Sequence, residues 1–135
     1  MNEVKAFVEN NDVDFTKNLI TKEKLNKILT ENKLVCGAQL QKYILSYGYL
    51  GFEACEFYGI NSVQLEKSDM ITQTEYLNKY FPKSHGFIAF ENLGEGEYAI
   101  IDSGDSVFIL STEQDVLKNT GKKLEQYILE RFRNQ

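Results

Sequence analysis

Three short runs in the second half of the chain, residues 87–90, 97–101 and 106–110, narrow the available folds more than anything else in it. Each is rich in β-branched and aromatic residues, which suit a pleated, half-buried surface. Their connections, Asn92-Leu-Gly-Glu-Gly96 and Asp102-Ser-Gly-Asp105, are short and carry glycine. A parallel crossover needs a dozen residues or more, so these strands must run antiparallel as two successive hairpins.

Helical spacing flanks this meander. A short helix is expected over residues 3–9, before the polar break at Asn10-Asn11-Asp12. Thr21 is a candidate N-cap for a second helix, with Leu25, Ile28 and Leu29 on one face and an end near Asn32. Gly37 opens a third, in which Leu40, Tyr43, Ile44 and Tyr47 recur at helical spacing and Gly48 is the stop. Residues 55–60 read as a strand, and residues 72–81 as a helix stopped by Pro82. Ser111 with Gln114 resembles a capping box, leading to a terminal helix striped by Leu124, Tyr127, Ile128 and Phe132. The expected architecture is α+β: a single domain over residues 1–135, with an antiparallel meander packed against N-terminal helices and a C-terminal helix. A chain of 135 residues is long enough to bury such a core without metal or disulfide support.

The net charge of −5 hides an uneven distribution. Residues 1–52 carry seven basic and six acidic groups, residues 53–105 three basic and ten acidic, and residues 106–135 five basic and four acidic. The acidic middle third argues against broad nucleic-acid binding, which needs clustered Lys and Arg to replace phosphate counterions. It argues equally against an anionic membrane surface and favours a basic protein partner. The first eleven residues include Glu3, Lys5 and Glu9 without an apolar run, so no signal peptide is expected there. Cys36 and Cys55 form no disulfide framework and suit small, packed thiols in a reducing cytoplasm.

Recognisable catalytic patterns are missing. His85, the one histidine, could meet either cysteine only through the fold, and a surface loop is its simpler setting. Two cysteines nineteen residues apart and one histidine lack zinc spacing. Asp102-Ser-Gly-Asp105 lacks the alternating ligands and distal glutamate of a calcium loop, and turn formation explains it. Glu91, Glu95 and Glu97 could supply a carboxylate pair, but any acidic protein offers such pairs. Gly94-Glu-Gly96 is not followed by the helix that a phosphate loop uses. The reading is therefore no catalytic residue, no cofactor and no metal. Tyr49 and Phe52, in the glycine-flanked segment 48–51 and beside it, are the aromatics least explained by core spacing. They are candidate anchors for a partner.

Four segments, taken in order, carry a family resemblance. They are Ile20-Thr-Lys-Glu-Lys-Leu25-Asn-Lys-Ile28; Gln39-Leu-Gln-Lys-Tyr43-Ile-Leu-Ser-Tyr47-Gly48; Glu56-Phe-Tyr-Gly-Ile60; and Phe87-Ile-Ala-Phe-Glu91-Asn-Leu-Gly-Glu95-Gly-Glu97-Tyr98, followed by Ile101-Asp-Ser-Gly104 and Val107. Over residues 20–133 the chain resembles the SUKH superfamily, which includes bacterial immunity proteins and the yeast cell-wall assembly regulator. It departs where Val35-Cys36-Gly37-Ala38 replaces a frequent Leu-Pro, and where Glu97 replaces a frequent aspartate. The resemblance implies an α+β scaffold without enzyme activity that neutralises a cognate toxin by binding it. Joined to the charge distribution, it makes Glu53, Glu56, Glu91, Glu95, Glu97, Asp102 and Asp105 candidate contacts for a basic toxin domain; two alternatives stay open, an interaction adaptor without a toxin and a small hydrolase.

Overall fold

The computed structural model describes residues 1–18, 20–60 and 69–135. In chain order the elements are α1 (Asn2–Asn10), β1 (Asp14–Lys17), α2 (Lys22–Glu31), α3 (Ala38–Ser46), β2 (Tyr47–Phe52), β3 (Cys55–Phe57), α4 (Met70–Tyr80), β4 (Ile88–Gly94), β5 (Glu97–Ile101), β6 (Ser106–Ser111), β7 (Val116–Lys123) and α5 (Leu124–Arg133). A 3-10 turn over Pro82–Ser84 follows α4, so Pro82 ends that helix as expected. The strands form one sheet in the order β1-β2-β3-β4-β5-β6-β7, each antiparallel to its neighbour. The α+β meander is thus present, and it is wider than the spacing suggests.

The capping chemistry behaves as read at α2, where the Thr21 hydroxyl accepts from the Lys24 N–H at 3.1 Å. Helix α4 starts two residues earlier than expected because Asp69 is its cap, accepting from the Thr72 N–H at 3.0 Å. Inside α4, the Thr74 hydroxyl donates to the Met70 carbonyl at 2.7 Å and accepts from the Ala89 N–H at 2.9 Å. The β4–β5 register shifts between Ala89 and Glu91, and Thr74 supplies a partner for the backbone at that irregularity.

Three strands are missing from the sequence reading, and the strand expected over residues 55–60 ends at Phe57. Helix α3 ends at Ser46, and Tyr47 passes directly into β2, so residues 48–51 are strand rather than a glycine-stopped loop. Strand β1 is four exposed residues, too short to show alternation. Strand β7 is largely Lys, Asn, Thr and Gly, an edge strand with little apolar surface to bury. The Ser111–Gln114 contact exists, with Ser111 Oγ accepting from the Gln114 N–H at 3.3 Å, yet it closes the β6–β7 turn instead of opening a helix.

The start of α3 has an unusual support. Its N-cap residue, Gly37, has no side chain to offer. The Asp105 carboxylate, from the β5–β6 turn, accepts instead from the Gln39 and Leu40 N–H groups at 3.0 Å each. Asp105 is 7% exposed, which withdraws it from the candidate surface contacts: its charge serves the positive end of α3. A methyl group on Gly37 would lie only 2.4–2.6 Å from that carboxyl group, so glycine here makes room for the distant cap. The absence of Leu-Pro before α3 accompanies this close approach.

Asp105→Ala should destabilise the protein by about 1–2 kcal/mol, with Asp105→Asn milder because its amide oxygen can still accept. Gly37→Ala should cost a similar amount by displacing the same carboxylate. In urea unfolding, the Gly37→Ala and Asp105→Ala losses should fall well short of additive.

Candidate protein-binding surface

Meander topology sorts the turns between two ends of the sheet. Consecutive antiparallel strands place the β2–β3, β4–β5 and β6–β7 turns at one end and the β5–β6 turn at the other. Glu53, Glu95 and Glu97 consequently share an end, although more than forty residues separate the first from the others. Glu53 is exposed in the two-residue turn between Phe52 and Cys55 and has a φ of 54°. Glu95, exposed with a φ of 53°, lies between Gly94 and Gly96. Glu97 is exposed at the start of β5, opposite both Gly94 and Ser111.

Two further acids arrive from the β6–β7 turn. Glu113 packs across Gly96, where an added methyl would lie 3.2 Å from its Cγ. Asp115 has a φ of 53° and lies 3.8 Å from Lys83. Sequence reasoning missed both because their segment is nearly neutral, and only the topology brings it beside residues 95–97. Among the described residues, Glu53, Glu95, Glu97 and Glu113 make no ion pair. They form an acidic rim with its charges facing water.

The other sequence candidates divide. Glu56 is exposed on β3 opposite Gly51, close to the rim, and its charge acts on the Tyr49 phenol. Partial burial, followed by the Glu56 charge, raises the Tyr49 pKa, so its phenol stays protonated. Gly51 makes room for this ring: a methyl there would lie 2.5 Å from the Tyr49 hydroxyl. Phe52 turns inward, packing edge-on to Phe7 at 5.3 Å and Phe132 at 5.5 Å, so it anchors α1 and α5 rather than standing free. Asp102 is half-buried at the opposite end, where Oδ1 accepts from the Gly104 and Ser106 N–H groups at 2.9 Å each.

Glu91 requires the clearest correction. Cross-strand partners share a face, and one row crosses the whole sheet as Phe15, Leu50, Phe57, Glu91, Ala99, Ile109 and Lys118. Glu91 stands at its midpoint, 1% exposed. Its carboxylate accepts from the Tyr127 hydroxyl at 2.7 Å and from Arg131 Nε and Nη2 at 2.6–3.1 Å. Both donors belong to α5, so this acid fastens the terminal helix to the sheet and is no surface contact. The Tyr127 pKa is pushed up by burial first and then by the Glu91 charge and hydrogen bond.

The other reactive groups are also committed locally. Burial, with a smaller contribution from Asp105, pushes the Cys36 thiol up to about 12. Burial pushes the Cys55 thiol up to about 11, against the lowering effect of nearby Arg131. Both thiols stay protonated near neutral pH. His85 is exposed and its Nε2 lies 2.7 Å from the Asn78 carbonyl, with neither cysteine as a bonding partner. Among the described residues, no group of three or more His, Cys, Asp or Glu is placed to hold a metal. No helix among them is long and apolar enough to cross a membrane.

Arg131→Met should cost about 3–5 kcal/mol, because it leaves a buried carboxylate without its cation. The same change in a Glu91→Gln background should cost much less, a difference measurable by a double-mutant unfolding cycle. Alkaline titration should also reveal the network. The Tyr127 phenol is held above its ordinary 10.0, so its stabilisation is intact below pH 10 and is lost as pH rises toward the higher folded value. Tyr43 and Tyr58 are raised in the same direction by burial, so tyrosinate absorbance from the buried rings should grow together with unfolding.

A comparison with curated proteins finds no match. A family model does match: SUKH_5, described as SMI1-KNR4 cell-wall, over residues 1–133. The match takes in α1 and β1, which precede the resemblance visible in the motifs. Together with the seven-stranded meander and five helices among the described residues, this match shows that the chain belongs to the SUKH superfamily, in the SMI1-KNR4 family.

Proposed function

We propose that this SUKH protein is a non-enzymatic immunity protein, which binds and neutralises a basic toxin domain in the cytoplasm of the producing bacterial cell. The acidic rim carries the reading. Glu53, Glu95, Glu97 and Glu113 converge from three hairpins, all without an ion-pair partner among the described residues. Family membership supports it, since SUKH proteins are generally non-enzymatic. Hairpin tips also suit the role physically: they display side chains without taking part in the core, so their chemistry can change while the sheet persists. A nuclease toxin fits this charge well, because a groove that binds phosphates is basic and an acidic rim can cover it.

The adaptor reading has one observation in its favour, the cell-wall description of the matching family. It predicts several weak partners and no protection against a toxin. Co-expression with the product of the adjacent gene separates the two. The immunity reading expects a stable complex and rescue of growth; neither complex nor rescue would overturn it. Reversing charge with Glu95→Lys and Glu97→Lys should slow association roughly tenfold at low ionic strength and flatten its salt dependence. Association indifferent to salt and to these changes would move the contact away from the rim.

A further inference from the structure

Both edges of the sheet carry a register irregularity and lysine, but they differ in exposed apolar surface. Strand β7 presents Lys118, Lys122 and Lys123, and its ladder is interrupted between Val107 and Phe108. There the Thr120 hydroxyl donates to the Val107 carbonyl at 2.6 Å and Gly121 adopts a φ of 75°. Lysines and a bulge are devices that discourage another strand from pairing. Strand β1 is also an edge, paired only with β2 in the sheet, yet it displays Phe15 at 52% exposure. The β1 register also shifts, between Thr16 and Lys17, but the exposed Phe15 ring beside it offers an apolar anchor to an added strand.

Beside that edge lies a groove of about 640 Å³ between α1, β1 and the end of α3. Val8, Phe15, Leu45 and Tyr47 supply apolar lining, with the Phe15 and Tyr47 rings edge-on at 5.9 Å. Lys5, Lys17 and Lys42 also line it, against one acid, Glu9. None of these lysines makes an ion pair among the described residues. The amino terminus at the groove is already neutralised by Glu125 at 3.1 Å. The excess positive charge therefore faces the groove uncompensated, opposite in sign to the rim.

We infer that the β1 edge and its lysine-lined groove form a second docking surface, which takes an extended acidic segment of a partner protein by strand addition. Phe15 and Lys17 belong both to the edge and to the groove, which makes the two features continuous. A strand added to β1 would direct alternate side chains along the groove face, where apolar groups meet Phe15 and carboxylates meet the lysines. This inference stands apart from the rim and does not need a toxin.

The probe is a fluorescent peptide alternating valine and glutamate, with two controls: lysine in place of glutamate, and a central proline that prevents strand pairing. The acidic peptide should bind in a salt-sensitive way, and Lys17→Ala with Lys42→Ala should weaken it about tenfold. Phe15→Ala should weaken it as well, and amide resonances of residues 14–17 should shift on binding. All three positions are exposed, so folding should survive, and circular dichroism checks that it does. Glu95→Lys and Glu97→Lys should leave peptide affinity unchanged, which separates failure here from failure of the rim. Absence of acidic-peptide binding, equal binding of the lysine or proline peptide, or self-association through β1 in place of peptide uptake would overturn the inference.

Discussion

The contact between Glu91 and Arg131 governs how the two layers of the protein meet. It lies at the centre of a seven-stranded sheet, where a carboxylate has no access to water and must find its partners in the protein. Arg131 and Tyr127 sit four residues apart, so one face of α5 delivers both donors. The oriented, charge-assisted bonds fix the rotation and position of the helix more sharply than apolar packing can. Around them, Phe132 meets Phe7, Phe52 and Phe57, and α1 is drawn onto α5 and the sheet edge together. The layering thus radiates from one buried charge, and the non-directional burial of aromatics fills in around it.

This arrangement shows where reading a sequence has purchase. The glycine-linked runs from residue 87 onward announced antiparallel hairpins, and Thr21 and Pro82 marked helix boundaries, because both signals are local chemistry. Strand β2 escaped because Tyr47 satisfies the helical stripe of α3 and also begins a strand, so periodicity has two solutions there. Strands β1 and β7 escaped because edges bury little and carry weak alternation. Segment 61–68, between the expected strand and helix, lies outside the described residues.

The surface was legible in part for the same reason. Splitting the charge along the chain identified an acidic middle third, but linear sequence could not distinguish a carboxylate facing water from one holding a helix. Glu91 and Asp105 have the same chemistry as Glu95, and only their partners, 40 and 65 or 66 residues away, reveal their different work. Glu113 joined the rim from a nearly neutral segment because antiparallel neighbours put alternate turns at one end. Net charge per segment describes the chain; the meander decides which charges become a surface.

Asp105 adds a temporal consequence. A helix with its cap encoded nearby can be secured as soon as its own residues are available, whereas α3 receives its cap from residue 105, long after its own last residue, Ser46. During synthesis, α3 therefore emerges with its leading amides unsatisfied by that carboxylate and is finished only when the β5–β6 turn has left the ribosome. The turn works as a late latch, coupling completion of an early helix to the arrival of the sheet on which it packs.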